Sequence, residues 1–393
     1  MQIQRRRTLL FLCPSLVGAG VERRVCTLVK QIKGSRYAVK LGLLRLEGEF
    51  LNAASDIDLL HVSPDKRMRI IFFPFIRLYN LHNFFHALYQ IKAMLAERPV
   101  IVVTFTLETT LPMYVVRRFM NAKGIRWVIS EDSNTAEAII DSCRYMWLIR
   151  WVNSVVGKAY CSADFVTTVS SAVRHSVQRR YGVPKHKINT IHNPVDLTTV
   201  KSMSTANLDK QYDVDFIVAV GRLVKVKQYD LLIRAFSEVR RTKRIKLFIL
   251  GSGPEKKQLL RTIWELGLSN DVCLMGFVDN PWSIMARAKL LVVTSKIEGF
   301  GNVIIEAMAV GCPVLATRCG GPEDIIKNGQ NGVLVDSNCS AIAAQINVLL
   351  GDPAHRKMLA ESARLECAQY APRLISDCFL DMLDSFSIKD NNS

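Results

Sequence analysis

Apolar residues in this chain gather into short runs separated by longer amphipathic stretches. Runs at 8–12, 37–44, 100–105, 127–130, 165–170 and 188–191 predict strands in the first half. Runs at 216–220, 246–250, 272–275, 290–294, 313–317 and 332–335 predict strands in the second. Runs of this length, rich in Val, Ile and Phe, suit strands buried on both faces. Between them the apolar period becomes that of a helix: Leu231, Leu232, Ala235, Phe236 and Val239 fall on one side. Strands alternating with helices predict an α/β fold with parallel, doubly wound sheets. Residues 197–212 are polar and aperiodic and read as a linker. From 341 the pattern is helical to about 369, Tyr370-Ala371-Pro372 interrupts it, and a last helix runs to about 386. The predicted domains are 1–200 and 201–370, with a C-terminal helix over 371–393.

The stretch that organises this pattern is 289–311. A buried strand at 290–294 leads into the turn Glu298-Gly299-Phe300-Gly301. Asn302 then opens a helix with Val303, Ala307 and Val310 on one side, ending at Gly311. A glycine turn ahead of a helix N-terminus presents free amides and a positive dipole end to an anion. Glu298 and Glu306 bracket the unit, so it offers amides for a phosphate and carboxylates for hydroxyls. A nucleotide sugar carries both. Strand–glycine–helix units also occur in α/β domains with no ligand there, so the other strand ends matter. Gly221-Arg222 with Lys225 and Lys227, Gly251-Ser252-Gly253-Pro254, Gly276-Phe277-Val278 and Gly320-Gly321-Pro322 all follow strands of the second half. In a parallel sheet these ends share one rim. Arg222 and Lys227 would add fixed positive charge there, which stabilises a departing diphosphate.

The first half offers less. Gly18-Ala19-Gly20 precedes a helix, but Arg23 stands where the dinucleotide fingerprint needs its third glycine. Glu131 ends a strand and is a candidate on the acceptor side. Asp213 and Asp215 imitate a metal-binding D-x-D pair, yet they sit at the entry of a strand, the opposite end from the candidate site. No metal site is predicted, and no cofactor.

A length of 393 residues predicts two domains, and 49% hydrophobic content supplies their cores. The net charge of +17 is uneven. Residues 1–200 hold 28 Lys/Arg against 14 Asp/Glu. That excess points to a polyanionic partner. No helix-turn-helix or RNA-recognition signature accompanies it, so an anionic membrane surface or a phosphorylated acceptor is expected rather than nucleic acid. Two aromatic, basic stretches fit a helix lying in a membrane interface: 68–95, and 143–160 with Tyr145, Trp147, Trp151, Tyr160, Arg144, Arg150 and Lys158. The commoner meaning of such stretches is packing on the sheet. No run reaches the roughly 20 apolar residues of a spanning helix. Arg5, Arg6 and Arg7 before an apolar stretch imitate a signal peptide, but that stretch also reads as the first buried strand. Ten scattered cysteines without metal spacing read as reduced thiols of a cytosolic chain.

Four runs in the second half carry a resemblance: GRL–x2–K–x2–YDLLIRAF (221–236), GSGP (251–254), GFVDN (276–280) and EGFGNVIIEAMAVGCPVLAT (298–317). Weaker ones follow in the first half: GAGVERR (18–24), SEDSN (130–134), VTTVSSAVRHSV (166–177) and HNPVD (192–196). Together they resemble the family-4 retaining glycosyltransferases of GT-B fold, and Glu298 and Glu306 match that family's E-x7-E pair. The resemblance implies two Rossmann-like domains facing each other across a cleft, with the C-terminal helix over 371–393 crossing back to the N-terminal domain. It implies metal-independent transfer of a sugar from a nucleoside-diphosphate sugar, with retention at the anomeric carbon. Arg222 and Lys227 would hold the diphosphate, and Glu306 the ribose hydroxyls. Glu298, Phe300 and Gly301 would hold the donor sugar, with Asn302 and Val278 lining the same subsite. Gly18 and Gly20 would approach the donor from the other domain. Gln228 departs from the pattern, because relatives usually have glycine there, and puts that turn in question. Thr104 and Thr106 stand where many relatives carry a histidine. Relatives with a SEDSN-like stretch often use hexose or N-acetylhexosamine donors in surface polysaccharide synthesis, which favours a UDP-sugar. The implied acceptor is a growing or lipid-linked glycan at the inner face of the cytoplasmic membrane. The rivals are a sugar-nucleotide epimerase of the same fold and a non-catalytic nucleotide-binding module.

Overall fold

The computed structural model describes residues 7–17, 20–51, 54, 56–62, 79–120, 124–132, 146–207 and 212–388. The chain forms two compact units, Met1–Pro194 with Pro372–Ser393, and Val195–Ala371.

The first unit contains β1 (Arg7–Cys13), α1 (Gly20–Ile32), β2 (Tyr37–Leu43), β3 (Asp58–Leu60), α2 (Tyr79–Met94), β4 (Ile101–Thr104), α3 (Leu107–Phe119), β5 (Arg126–Glu131), α4 (Met146–Ser162), β6 (Phe165–Thr168), α5 (Ser171–Tyr181) and β7 (Ile188–Thr190). Its sheet runs β3-β2-β1-β4-β5-β6-β7, with every neighbouring pair parallel. The strand order therefore reverses at β1, the switch point where such sheets present their ligand-facing loops. Side chains alternate across β1. Leu9, Phe11 and Cys13 enter a core built with Val25, Leu28, Val29 and Ile32 of α1. The last helix of the chain, Pro372–Ile388, joins this same core through Ile375, Phe379, Met382 and Leu383. Phe379 lies 5.9 Å from the Phe11 ring, and the Tyr37 hydroxyl donates to Asp384 at 3.0 Å. On the opposite face, Trp127 Nε1 and the Thr110 hydroxyl both donate to Thr104 Oγ1, at 3.0 and 3.1 Å, tying α3 to β4 and β5. Three-residue β3 has no counterpart among the predicted strands, because a run that short leaves no period to read.

The second unit contains α6 (Leu197–Ser204), β8 (Phe216–Val220), α7 (Tyr229–Arg240), β9 (Lys246–Leu250), α8 (Lys256–Glu265), β10 (Val272–Gly276), α9 (Pro281–Arg287), β11 (Leu291–Val293), α10 (Asn302–Val310), β12 (Val314–Thr317), α11 (Gly321–Ile325), β13 (Val333–Val335), α12 (Cys339–Gly351) and α13 (Pro353–Glu366); the last helix becomes α14. Its sheet, β10-β9-β8-β11-β12-β13, is parallel throughout and reverses order at β8. Ile217, Ala219, Leu232, Phe236, Leu247, Ile249 and Val292 centre a core made wholly of this unit's residues.

Three expectations are corrected here. The stretch read as a linker contains α6. Asp196 caps it, accepting from the Thr199 amide at 3.0 Å, and Val200 is buried where α6 packs on α9 and α10. Two turns of helix with one buried stripe are too short to show a period. The tail is two helices, since Asp352-Pro353 ends α12 and starts α13 with Asp352 as cap. Finally, α10 is not amphipathic. Ile304, Ile305, Glu306, Ala307, Met308 and Ala309 are all buried, while Val303 and Val310 are only half-buried, because α6, α9, α11 and α13 surround it.

Candidate functional site

The strand-end loops of the second unit are stitched together backbone to backbone. The Gly221 amide donates to Leu250 O, Leu223 N to Ser252 O and Gly251 N to Gly276 O, at 2.9, 2.9 and 2.6 Å. Gly251 has φ +139, and a Cβ there would lie 2.0 Å from the Gly221 carbonyl oxygen. Only glycine permits that approach. Lys296 N donates to Val226 O at 2.8 Å, joining the loop after β11 to the loop after β8. The rim is thus fixed by main chain, leaving side chains free to face a ligand.

Within it, Lys227 Nζ and Glu298 Oε2 form an ion pair at 2.5 Å, with both side chains about one-fifth exposed. The Ser295 hydroxyl donates to the same carboxylate oxygen at 3.0 Å. The Glu298 backbone is held on both sides: its amide donates to Cys319 O at 3.0 Å, and its carbonyl accepts from Gly321 N at 2.9 Å. Gly301 then caps α10 with φ +106, so the helix opens immediately after the Glu298 turn. The Tyr229 hydroxyl is buried beside Gly221 and the Lys227 chain; burial raises its pKa, and the charge of Glu298 adds to the rise. Burial likewise pushes the neighbouring Cys319 thiol up to about 12. Glu306, buried in the second turn of α10, accepts from Trp282 Nε1 of α9 at 3.0 Å. Phe300 is buried edge-on against Tyr370, with ring centroids 5.6 Å apart.

The structure therefore brings Lys227, Glu298 and Gly301 together, with Glu306 on the helix that Gly301 starts. Arg222 is exposed one residue after Gly221, and Val278 is half-buried just beyond β10. Asn302 is the first residue of α10. Lys227 and Glu298, given separate partners by sequence reasoning, are each other's partner here. Asp213 and Asp215 pair with Arg287 and Lys289 at 3.2 and 3.0 Å. Sequence reasoning missed Ser295 and Trp282. Ser295 was findable as a polar residue at a strand end. Nothing in the pattern marks Trp282, which reaches Glu306 only through the packing of α9 on α10.

In the first unit, Gly18 lies outside the described residues, and Gly20 is the exposed first residue of α1. Glu131 is buried and accepts a hydrogen bond from the Tyr160 hydroxyl. Arg24, from the glycine-loop motif, is also buried. It donates to Ser130 Oγ at 2.9 Å, to Asp132 Oδ1, and to Ile191 O at 3.1 Å. Two of the first-half motifs, GAGVERR and SEDSN, meet on this one guanidinium, together with the residue that precedes HNPVD. Burial raises the Asp132 pKa, against the attraction of Arg24.

Comparison with known proteins matches both halves. The family "Glycosyltransferase Family 4" matches residues 18–199, and "Glycosyl transferases group 1" matches residues 203–366. The chain is 30% identical over 244 residues to a Campylobacter jejuni protein named N-acetylgalactosamine-N,N'-diacetylbacillosaminyl-diphospho-undecaprenol 4-alpha-N-acetylgalactosaminyltransferase, covering 59% of this chain and 65% of that protein. It is 32% identical over 203 residues to the lipopolysaccharide core biosynthesis glycosyltransferase LpsE of Rhizobium meliloti, covering 51% and 59%. The matched part thus spans less than two thirds of each. Among solved structures, HepE of Anabaena in complex with UDP and glucose superposes with a TM-score of 0.77 at 21% identity, over 96% of this chain and all of that one. WaaG, described as a glycosyltransferase involved in lipopolysaccharide biosynthesis, gives 0.71 at 16% identity, over 95% and 99%. These likenesses show the fold, two Rossmann-like units of GT-B type. With the two family descriptions tiling the sequence from residue 18 to residue 366, the chain belongs to the family-4 glycosyltransferases of GT-B fold.

Proposed function

We propose that this chain transfers a hexose or N-acetylhexosamine, with retention, from a nucleoside-diphosphate sugar, UDP-linked, to a lipid-linked or growing surface glycan. The observation that carries this reading is the Lys227–Glu298 pair, set just before the opening of α10. Without a ligand, each group neutralises the other. An incoming diphosphate competes for Lys227 and gains the exposed Arg222 and the amides at the start of α10. Glu298, relieved of its cation but still held by Ser295, then accepts sugar hydroxyls. Leaving of UDP places new negative charge where Lys227, Arg222 and the helix dipole already point, so the stabilisation grows toward the transition state. Glu306, oriented by Trp282, receives the ribose hydroxyls. Gly18, Gly20 and Glu131 are assigned to the first unit's share of donor and acceptor. The relatives' names support a glycan acceptor on a lipid or lipopolysaccharide; on this reading the acceptor is met at the cytoplasmic face of a membrane.

Isothermal titration with UDP tests the site. Arg222→Ala should weaken binding about tenfold or more, the loss of one charged hydrogen-bonding partner. Glu306→Ala should weaken it comparably. Unchanged affinity in both variants would remove these residues from the site. A donor incubated without acceptor should persist; its conversion to an epimer would favour the rival chemistry.

A further inference from the structure

The two faces of the first unit's sheet differ in charge. On the face covered by α1 and α14, Glu22, Asp377, Asp381 and Asp384 balance Arg23, Arg24, Lys30 and Arg373. The other is covered by α2, α3, α4 and α5, which pack side by side in that order. In those four helices the sole carboxylate is Glu108. Against it stand Lys92, Arg117, Arg118, Arg150, Lys158 and three arginines of α5. Arg117 is engaged, bidentate to Asp164 at 2.7 and 2.9 Å; Lys92, Arg118, Arg150 and Lys158 are exposed.

This basic face also displays large apolar side chains. Trp147 and Trp151, one turn apart on α4, are 69% and 63% exposed. Phe119, at the end of the adjacent α3, is 73% exposed, with the Arg118 guanidinium 5.5 Å from its ring. Exposed aromatic groups this large, spread along one face and interleaved with cations, mark a surface that something covers. Tryptophan suits a headgroup boundary, since its ring is apolar and its N–H polar, while Arg and Lys stems lie along apolar material and keep their charges in the phosphate layer. A second copy of the chain is a poor occupant, because a two-fold contact would press this cationic face against itself.

We propose that the α3–α4 strip seats the chain on an anionic phospholipid surface. Trp147, Trp151 and Phe119 enter the headgroup–acyl boundary, and Arg118, Arg150 and Lys158 contact lipid phosphates. This deepens the membrane part of the proposed function and is separable from its chemistry. Among the described residues no helix is long and apolar enough to cross a membrane, so attachment through this strip is peripheral.

The full chain is sedimented with vesicles of phosphatidylglycerol and phosphatidylcholine, and with vesicles of phosphatidylcholine alone. The wild type should partition onto the mixed vesicles and not the neutral ones. Trp147→Ser with Trp151→Ser should reduce that partition at least tenfold. Arg150→Glu with Lys158→Glu should reduce it by about fivefold or more per cation. Leu374→Ser, on the exposed side of α14, should change nothing. Because the replaced side chains are exposed, all variants should fold, and UDP binding titrated in the same samples should match wild type. The donor site and the membrane surface therefore fail independently. Equal partition of the tryptophan variant and wild type overturns the proposal. So does a tryptophan variant that only dissolves a dimer in sedimentation velocity, or a wild type that ignores anionic vesicles and binds RNA instead.

Discussion

Gln228 shows how far a single residue can be read. It stands where related sequences place glycine, and it adopts φ +48, ψ +42, the left-handed conformation glycine would take. The turn is therefore kept, and its side chain helps hold it: Gln228 Oε1 accepts from Ser337 Oγ at 3.1 Å, while the Thr294 hydroxyl donates to the carbonyls of Lys227 and Gln228. A left-handed residue with a Cβ costs roughly 1–2 kcal/mol, and glycine's extra freedom in the unfolded chain takes back about half of that. Gln228→Gly should thus leave stability unchanged or raise it by up to about 1 kcal/mol, whereas β-branched Gln228→Val should lower it by more than about 1 kcal/mol. Urea unfolding midpoints measure both. A Gln228→Gly loss above about 1 kcal/mol would mean the Ser337 contact outweighs the backbone cost. The pattern also exposed Lys227, Glu298 and Gly301, since each interrupts an apolar run at a strand end. It left Trp282 hidden, and the pairing of Ser130 with Arg24 unread, because these partners come together only through folding.

At the scale of elements, what was legible was what is long and buried. Leu9 to Leu12 and Phe216 to Ala219 are almost wholly buried, and unbroken apolar runs announce such strands. The polar stretch holding α6 and the three residues of β3 were illegible, since neither is long enough for periodicity to rise above chance. The last helix was legible as a helix from its apolar stripe, but a stripe does not say which core receives it; its return to the first domain was implied only by the family resemblance. The structure shows the receiving core: Phe379 is fully buried against Phe11 and α1. Phe379→Ala should destabilise the first unit by about 3–5 kcal/mol, the cost of a large cavity in a packed core. Leu374→Ala, on the same helix but half exposed, should stay within about 0.5 kcal/mol. Thermal unfolding followed by circular dichroism distinguishes them; equal small effects would show that α14 is not part of this core.

At the scale of the molecule, each unit builds a core of its own: among the described residues, one cluster draws on the first unit and the other on the second. Charge is divided too, with the excess of Lys and Arg concentrated in residues 1–200. The two halves can therefore respond differently to a donor. The cation pair of Arg222 and Lys227, the glycine-stitched rim and the opening of α10 all belong to the second unit. A ligand that binds only the folded form stabilises it by about 2.7 kcal/mol at a hundredfold excess over its Kd. UDP at that excess should slow hydrogen exchange at 221–228, 251–254 and 298–306 and in the strands behind them. Exchange in the β1, β4 and β5 core of the first unit should stay near its ligand-free rate. Lys227→Ala should abolish the slowing at the same UDP concentration, because the amides and Arg222 alone leave the β-phosphate charge only partly matched. Slowing confined to the first unit, or undiminished in Lys227→Ala, would place the nucleotide somewhere other than the rim where Glu298 holds Lys227.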